Sequence, residues 1–60
     1  MAGKFELYQD KAGKYRFRLK ASNGQVIASG EAYESKAAAV NGIASVQNHA
    51  PGATTVEVDG

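Results

Sequence analysis

Apolar residues and cations alternate strictly over residues 14–20. The apolar side chains are Tyr15, Phe17 and Leu19, and a Lys or Arg fills every position beside them. Alternation with a period of two predicts a β-strand with one buried and one solvated face. The solvated face holds four of the seven Lys and Arg residues of the chain. We call these four the basic row: Lys14, Arg16, Arg18 and Lys20.

A shorter alternating segment predicts a strand over residues 4–9. Phe5 and Leu7 lie on one of its faces, and Glu6 and Tyr8 lie on the other. The apolar face of this strand matches the apolar face of the following one, so the two strands form a predicted hairpin with one face toward a core.

The turn of this hairpin covers residues 10–13. Asp is favoured at the first position of such a turn, and the closing Gly tolerates a positive φ. A three-residue loop keeps the apolar residues of both strands on one face, whereas a two-residue loop would split them. The three-residue loop sets Glu6 opposite Arg18 and Asp10 opposite Lys14. Two carboxylates are therefore predicted to face the basic row.

A third strand is predicted after the Asn-Gly pair at positions 23–24, which is a strong hairpin signal. The strand extends to about Ser29. A two-residue loop would turn Val26 and Ala28 toward the core, whereas a three-residue loop would turn Ile27 and Ser29 inward. The sequence leaves both registers open.

One helix follows the strands. Ser35 is the predicted N-cap, the helix covers residues 36–49, and Ala-Pro-Gly at 50–52 closes it. Its only Lys, Arg, Asp or Glu is Lys36. Apolar residues at helical spacing predict a stripe that faces the sheet. The stripe consists of Ala39, Val40, Ile43, Val46 and Ala50.

A ridge of small residues runs along the far side of this helix: Ala38, Gly42 and Ser45. Gly inside a helix costs about 1 kcal/mol relative to Ala, so Gly42 needs a reason. It is either a tolerated imperfection or a place where a second helix, from another subunit, approaches closely.

Residues 54–58 alternate again and predict a fourth strand. The order β-β-β-α-β predicts an α+β fold, an antiparallel sheet with one helix on a face, in a single domain over residues 1–60. The last strand can pair with its own sheet or with the sheet of a second chain.

Composition limits the functional classes. A chain of 60 residues without Cys has a small core and no disulfides, so self-association is the expected source of additional stability. One His argues against a metal site, and we expect no cofactor. No apolar run approaches the roughly 20 residues that span a bilayer, and the N-terminal residues lack an apolar signal core. We therefore expect a cytoplasmic protein without a membrane partner.

Catalytic chemistry finds little support in the sequence. A hydrolytic triad needs a base, and His49 lies in the last helical turn, where a cation complements the helix dipole. Glu31 and Glu34 complement the positive end of the helix instead of forming an acid–base pair. Lys36 either neutralises one of these two acids or helps to hold an anion at the helix start. We expect no enzymatic activity.

The basic row has two interpretations. In the first, it is a solvated face that acidic residues partly neutralise. In the second, it contacts the phosphates of single-stranded nucleic acid or another anion, while an aromatic ring stacks on an unpaired base. The near-neutral net charge of +1 argues against the second interpretation. The candidate residues for this face are Tyr8, Arg16, Arg18, Lys20 and Lys36.

Motifs spread over nearly the whole chain resemble the YegP-like family of small bacterial and archaeal proteins. They are Phe5-Glu6-Leu7-Tyr8, Gly13, the segment 15–21, Asn23-Gly24, Ile27-Ala28, Tyr33, Ser35-Lys36 and Asn41-Gly42-Ile43. The resemblance implies β(3)-α-β units, found as tandem repeats or as homodimers that share one sheet and exchange C-terminal strands. It implies no known activity. The candidate dimer interface is Ala38, Gly42, Ser45, Thr54, Val56 and Val58.

Overall fold

The computed structural model describes residues 3–59, so residues 1, 2 and 60 of the predicted domain lie outside the described residues. The elements are β1 (Lys4–Gln9), β2 (Tyr15–Lys20), β3 (Val26–Ser29), α1 (Lys36–His49) and a 3₁₀ turn (Ala50–Gly52). The strands form one antiparallel sheet in the order β1-β2-β3, and α1 packs over β2. The α+β class, the antiparallel sheet and the single helix are confirmed.

The hairpin between β1 and β2 has the predicted register. Glu6 pairs with Arg18 and Tyr8 pairs with Arg16, while a backbone hydrogen bond of 2.9 Å from Asp10 N to Lys14 O closes the loop. Gly13 has a φ of 85°, which explains the glycine at the end of the turn. The prediction of a three-residue loop is therefore confirmed.

The register of β3 combines the two predicted alternatives. A hydrogen bond of 2.8 Å from Ala21 N to Gln25 O encloses a three-residue loop, and Lys20 pairs with Val26. The next pair is Leu19 with Ala28, so Ile27 is the extra residue of a β-bulge. The bulge places Ala28 beside Leu19 on the inner face and leaves Ile27 61% exposed.

The core centres on Phe17, which is 4% exposed on the inner face of β2. The ring of Phe5 meets it edge-on at a centroid distance of 5.9 Å, and the ring of Tyr33 stacks on it at 6.1 Å. Tyr33 is fixed there by two backbone hydrogen bonds with Tyr15, of 2.9 and 2.8 Å. Above this layer lies Ala39 of α1, which is fully buried.

Gly42 of α1 lies directly against the Tyr33 ring. A Cβ atom at this position would be 2.8 Å from Cζ of Tyr33 and 3.2 Å from Cε2 of Phe17, and it would also meet the Tyr33 hydroxyl. The glycine thus allows α1 to approach the sheet of its own chain. This contact supplies a reason for Gly42 that does not require a second helix.

The apolar stripe of α1 is partly different from the predicted one. Ala39 is buried and Ile43 and Val46 are half-buried, but Val40 and Ala50 are exposed. The cause is the close approach at position 42, which turns the face through residues 39, 42, 43 and 46 toward the sheet. The predicted helix start is confirmed, because the Oγ of Ser35 accepts a hydrogen bond of 3.1 Å from Ala38 N.

The predicted fourth strand is wrong for the single chain. Residues 53–59 form no strand and are exposed throughout, with Val56 72% and Val58 81% exposed. The alternation of this segment favours a strand, but a strand needs a hydrogen-bonded neighbour. Within residues 3–59 the sheet has three strands, and β1 and β3 are its edges.

Candidate anion-binding face and apolar groove

The face of the sheet opposite the helix carries the basic row of β2 beside the polar side chains of β1. We call it the ionic face. It consists of Lys4, Glu6, Tyr8, Asp10, Lys14, Arg16, Arg18 and Lys20. The alternation of β1 and β2, held in one register by the three-residue loop, brings all of these side chains to the same side.

One end of the ionic face is balanced in charge. The Nε–H of Arg16 donates to Oδ2 of Asp10 at 2.7 Å, and the ammonium of Lys14 contacts the carboxylate of Glu34. Asp10 is held in place because its Oδ1 accepts hydrogen bonds of 3.0 Å from the backbone N–H groups of Ala12 and Lys14. Each cation here has a carboxylate of its own.

The other end of the ionic face has an excess of cations. Arg18 Nε–H donates to Oε1 of Glu6 at 2.7 Å, while the ammonium nitrogens of Lys20 and Lys4 lie 3.6 and 3.7 Å from the same carboxylate. Lys4 and Lys20 are also direct cross-strand partners. Three cations therefore surround one carboxylate. We call these four residues the Glu6 cluster.

The guanidinium of Arg18 covers one face of the Tyr8 ring. The Cζ atom of Arg18 lies 4.9 Å from the ring centroid, which is a cation–π geometry. A nucleic-acid base can stack on this tyrosine only on the opposite ring face or after Arg18 moves. The predicted stacking role of Tyr8 is therefore restricted, while its contact fixes Arg18.

The carboxyl groups of the ionic face are shifted toward the charged form. A hydrogen bond from Arg18 lowers the pKa of Glu6, with further lowering by the charges of Lys20 and Lys4. A hydrogen bond from Arg16 lowers the pKa of Asp10, together with its backbone hydrogen bonds. Both groups are therefore ionised at neutral pH, and the face is a set of ion pairs.

The residues near the helix ends do not join the ionic face in the predicted way. Glu34 contacts Lys14, and among the described residues Lys36 has no ion pair with either predicted acid. At the other helix end, Nδ1–H of His49 donates to the carbonyl oxygen of Ser45 at 2.8 Å. His49 thus bonds the backbone of the last helical turn, and its predicted effect on the helix dipole stays a prediction.

An apolar groove of about 390 Å³ lies between α1 and the inner face of the sheet, beside β3. Its walls include Phe5, Leu19, Ala28, Tyr33, Gly42 and Val46. Ser45 and Glu31 add polar groups at the lining. Sequence reasoning missed the groove, although the small residues at 28, 30 and 42 on facing segments are a signal that space remains there.

Metal-ligand clusters and membrane-spanning helices are both absent from the described part of the chain. Residues 3–59 contain no group of three or more His, Cys, Asp or Glu side chains that converge as metal ligands. No helix in that range has the length and hydropathy that a membrane span requires.

A three-stranded antiparallel sheet with one helix packed across it defines a small α+β domain. The chain belongs to the family described as Domain of unknown function (DUF1508), whose sequence model matches residues 10–57. A UPF0339 protein of Treponema denticola is 67% identical over 58 residues, covering 97% of this chain and all of that protein. Together with a match to a YegP protein, these matches confirm the resemblance to YegP-like proteins.

Another relative is longer than this chain. The UPF0339 protein YegP of Yersinia pestis is 57% identical over 49 residues, which covers 82% of this chain and 44% of that protein.

Two solved structures have the same fold. The solution structure of a Haloferax volcanii protein superposes with a TM-score of 0.84 at 45% identity, covering 95% of this chain and 97% of that one. The solution structure of the Agrobacterium tumefaciens protein ATU0232 gives a TM-score of 0.78 at 55% identity, covering 92% and 89%.

Proposed function

We propose that the protein is a non-catalytic, homodimeric interaction module in which the C-terminal segment of each chain completes the sheet of the other. The observation that carries the proposal is a pair of unmatched apolar surfaces. The groove beside β3 is open, and Val56 and Val58 of the segment 53–59 are exposed. Because both surfaces are apolar, the segment of one chain could cover the groove of the other.

The segment suits the groove because of its alternation. Val56 and Val58 are two residues apart, so they lie on one face of an extended chain at a spacing of about 7 Å. An added strand gains main-chain hydrogen bonds from a sheet edge and specificity from alternate side chains in pockets. The edge of β3 borders the groove, so we assign the partner's segment to that edge.

The energies are compatible with a reversible dimer. Burying a valine side chain contributes about 1.5–3 kcal/mol, and twofold symmetry buries four of them, for about 6–12 kcal/mol. Association costs about 4–15 kcal/mol in lost translational and rotational freedom. The two terms are similar, so hydrogen bonds along the added strands decide the affinity.

The proposal changes the role of the predicted interface residues on α1. Gly42 and Ser45 line the groove, so they would contact the partner's segment and not a second helix. Ala38 is half-buried and does not line the groove, so its place in the interface stays a prediction. The length of YegP from Yersinia pestis gives further support, because a match to 44% of that protein leaves room for a second unit of equal size.

Sedimentation equilibrium of the full chain at micromolar concentration tests the proposal. We expect a dimer for the unchanged protein and a shift to monomer for Val56→Asp and Val58→Asp. Val40→Asp is the matched control, because Val40 is also exposed, at 47%, but lies on α1 outside the groove. A folded 6.3 kDa monomer, or equal effects of all three variants, would refute the proposal.

Two further parts of the proposal concern catalysis and location. The only His of the chain, His49, is hydrogen-bonded to the backbone carbonyl of Ser45 in α1, which favours a module without catalysis. The absence of Cys from the sequence is compatible with a reducing compartment, and we propose a cytoplasmic location. Binding of single-stranded nucleic acid or another anion is the second candidate function, and the excess of cations in the Glu6 cluster favours it.

A further inference from the structure

We propose that the Glu6 cluster is a binding site for phosphate groups, formed by Lys4, Arg18 and Lys20. The site occupies one end of the ionic face and excludes the rest of the basic row. The site rests on the second candidate function, anion binding, and names its ligand. It requires no dimer, so its test is independent of the homodimeric function.

The charge distribution is the first argument. Lys4, Arg18 and Lys20 share the carboxylate of Glu6, with nitrogen–oxygen distances of 3.7, 2.7 and 3.6 Å. One negative charge cannot neutralise three positive ones. At the other end of the face, Arg16 has its own carboxylate, so that end offers an anion no comparable excess.

The strand register is the second argument. Lys4 and Lys20 are direct cross-strand partners. Like charges in directly opposed positions destabilise a sheet, so this pair gains from any anion that bridges it. The side chain of Lys20 is only 26% exposed, whereas that of Lys4 is 70% exposed. A phosphate at the surface can therefore meet one partly fixed and one adaptable ammonium group.

Preorganisation of Arg18 is the third argument. Its Nε–H is bound by Glu6 and its guanidinium lies over the Tyr8 ring, so the side chain is held before any ligand arrives. A guanidinium has five N–H donors, and four remain after the bond to Glu6. Planar N–H groups of this kind match phosphate oxygens well, and a fixed side chain loses less freedom on binding.

The test is a titration followed by amide NMR at an ionic strength of about 0.01 M, where charges are weakly screened. Inorganic pyrophosphate is one ligand and a short single-stranded oligodeoxythymidylate is the other. We expect the largest shifts at Lys4, Arg18 and Lys20. A response to pyrophosphate assigns the site to phosphate groups in general, and a response to the oligonucleotide alone assigns it to a nucleic-acid backbone. No response to either ligand overturns the proposal.

Three variants make the test specific. Lys20→Gln should weaken binding about threefold, which is the effect of one ionic contact near the surface. Lys11→Gln removes the same charge at the exposed turn and should weaken binding clearly less, because only the weakly screened long-range charge changes. Glu6→Gln should tighten binding about threefold, because it removes the competing negative charge while the amide oxygen of Gln can still accept the hydrogen bond that holds Arg18. Equal effects of Lys20→Gln and Lys11→Gln, or weaker binding by folded Glu6→Gln, would contradict the assignment.

Discussion

Gly42→Ala is the substitution that best probes the packing of α1 on the sheet. In an unconstrained helix the change would stabilise the protein by about 1 kcal/mol, because Ala is the better helix former. Here the added methyl carbon would stand 2.8 Å from Cζ of Tyr33 and 3.2 Å from Cε2 of Phe17. Overpacking of this kind costs about 1–3 kcal/mol. We therefore expect a net destabilisation of about 1 kcal/mol.

The clash cannot be relieved easily, since Tyr33 is fixed at both ends. Its backbone is hydrogen-bonded to Tyr15, and its ring stacks on Phe17. Removing the hydroxyl removes the atom that the new methyl group meets first. In a double-mutant cycle with Tyr33→Phe, we expect a coupling energy of about 0.5 kcal/mol or more, because the second change relieves part of the clash.

Urea denaturation followed by circular dichroism measures these effects, with all variants at one protein concentration because self-association changes apparent stability. Asn48→Ala is the matched control, because Asn48 lies on the exposed side of α1. It should stabilise the protein by up to about 0.7 kcal/mol, since Ala is the better helix former. If Gly42→Ala stabilised the protein as much as a free helical site allows, the contact with Tyr33 would not exist in solution.

Two further predictions concern the ionic face and the helix start. Because the pKa values of Glu6 and Asp10 are lowered in the folded state, their contribution to stability is present above the ordinary carboxyl pKa and is lost as the pH falls through the lowered values. Unfolding curves measured from about pH 6 to pH 2 should show this loss of stability. The double variant Glu6→Gln, Asp10→Asn should lose less stability over the same range. If its stability fell with pH as much as that of the unchanged protein, the ion pairs would be contradicted. Ser35→Ala should cost about 1 kcal/mol in urea denaturation, because Ala38 N loses its acceptor, and Ser35→Asp should restore most of it. Equal stability of Ser35→Ala and the unchanged protein would exclude the cap.

Local patterns determined the first hairpin and the helix start. For β1 and β2, two alternating segments and the turn residues favour the same register, so the positions of Glu6 and Arg18 follow from the sequence. For β3, the adjacent apolar residues Val26 and Ile27 suit either register. A bulge combines both, and no local rule predicts it.

Long-range contacts account for the remaining differences. Tyr33 and Gly42 meet only after the sheet and the helix have packed. The sequence therefore shows a glycine inside the helix but not the tyrosine contact that requires it. The segment 54–58 has the pattern of a strand, but a pattern does not identify the neighbouring strand. On the ionic face, cross-strand pairing predicted acids beside the basic row, whereas the sharing of Glu6 among three cations depends on side-chain positions that the alternation does not specify.

The central claim is that the C-terminal segment of one chain covers the groove of another. An isotope-filtered NOE measurement on a mixture of labelled and unlabelled chains tests it most directly. We expect intermolecular NOEs from the methyl groups of Val56 and Val58 to Leu19, Ala28 or Tyr33 of the other chain. If those contacts arise only within one chain, or are absent while the dimer persists, strand exchange through the groove is contradicted.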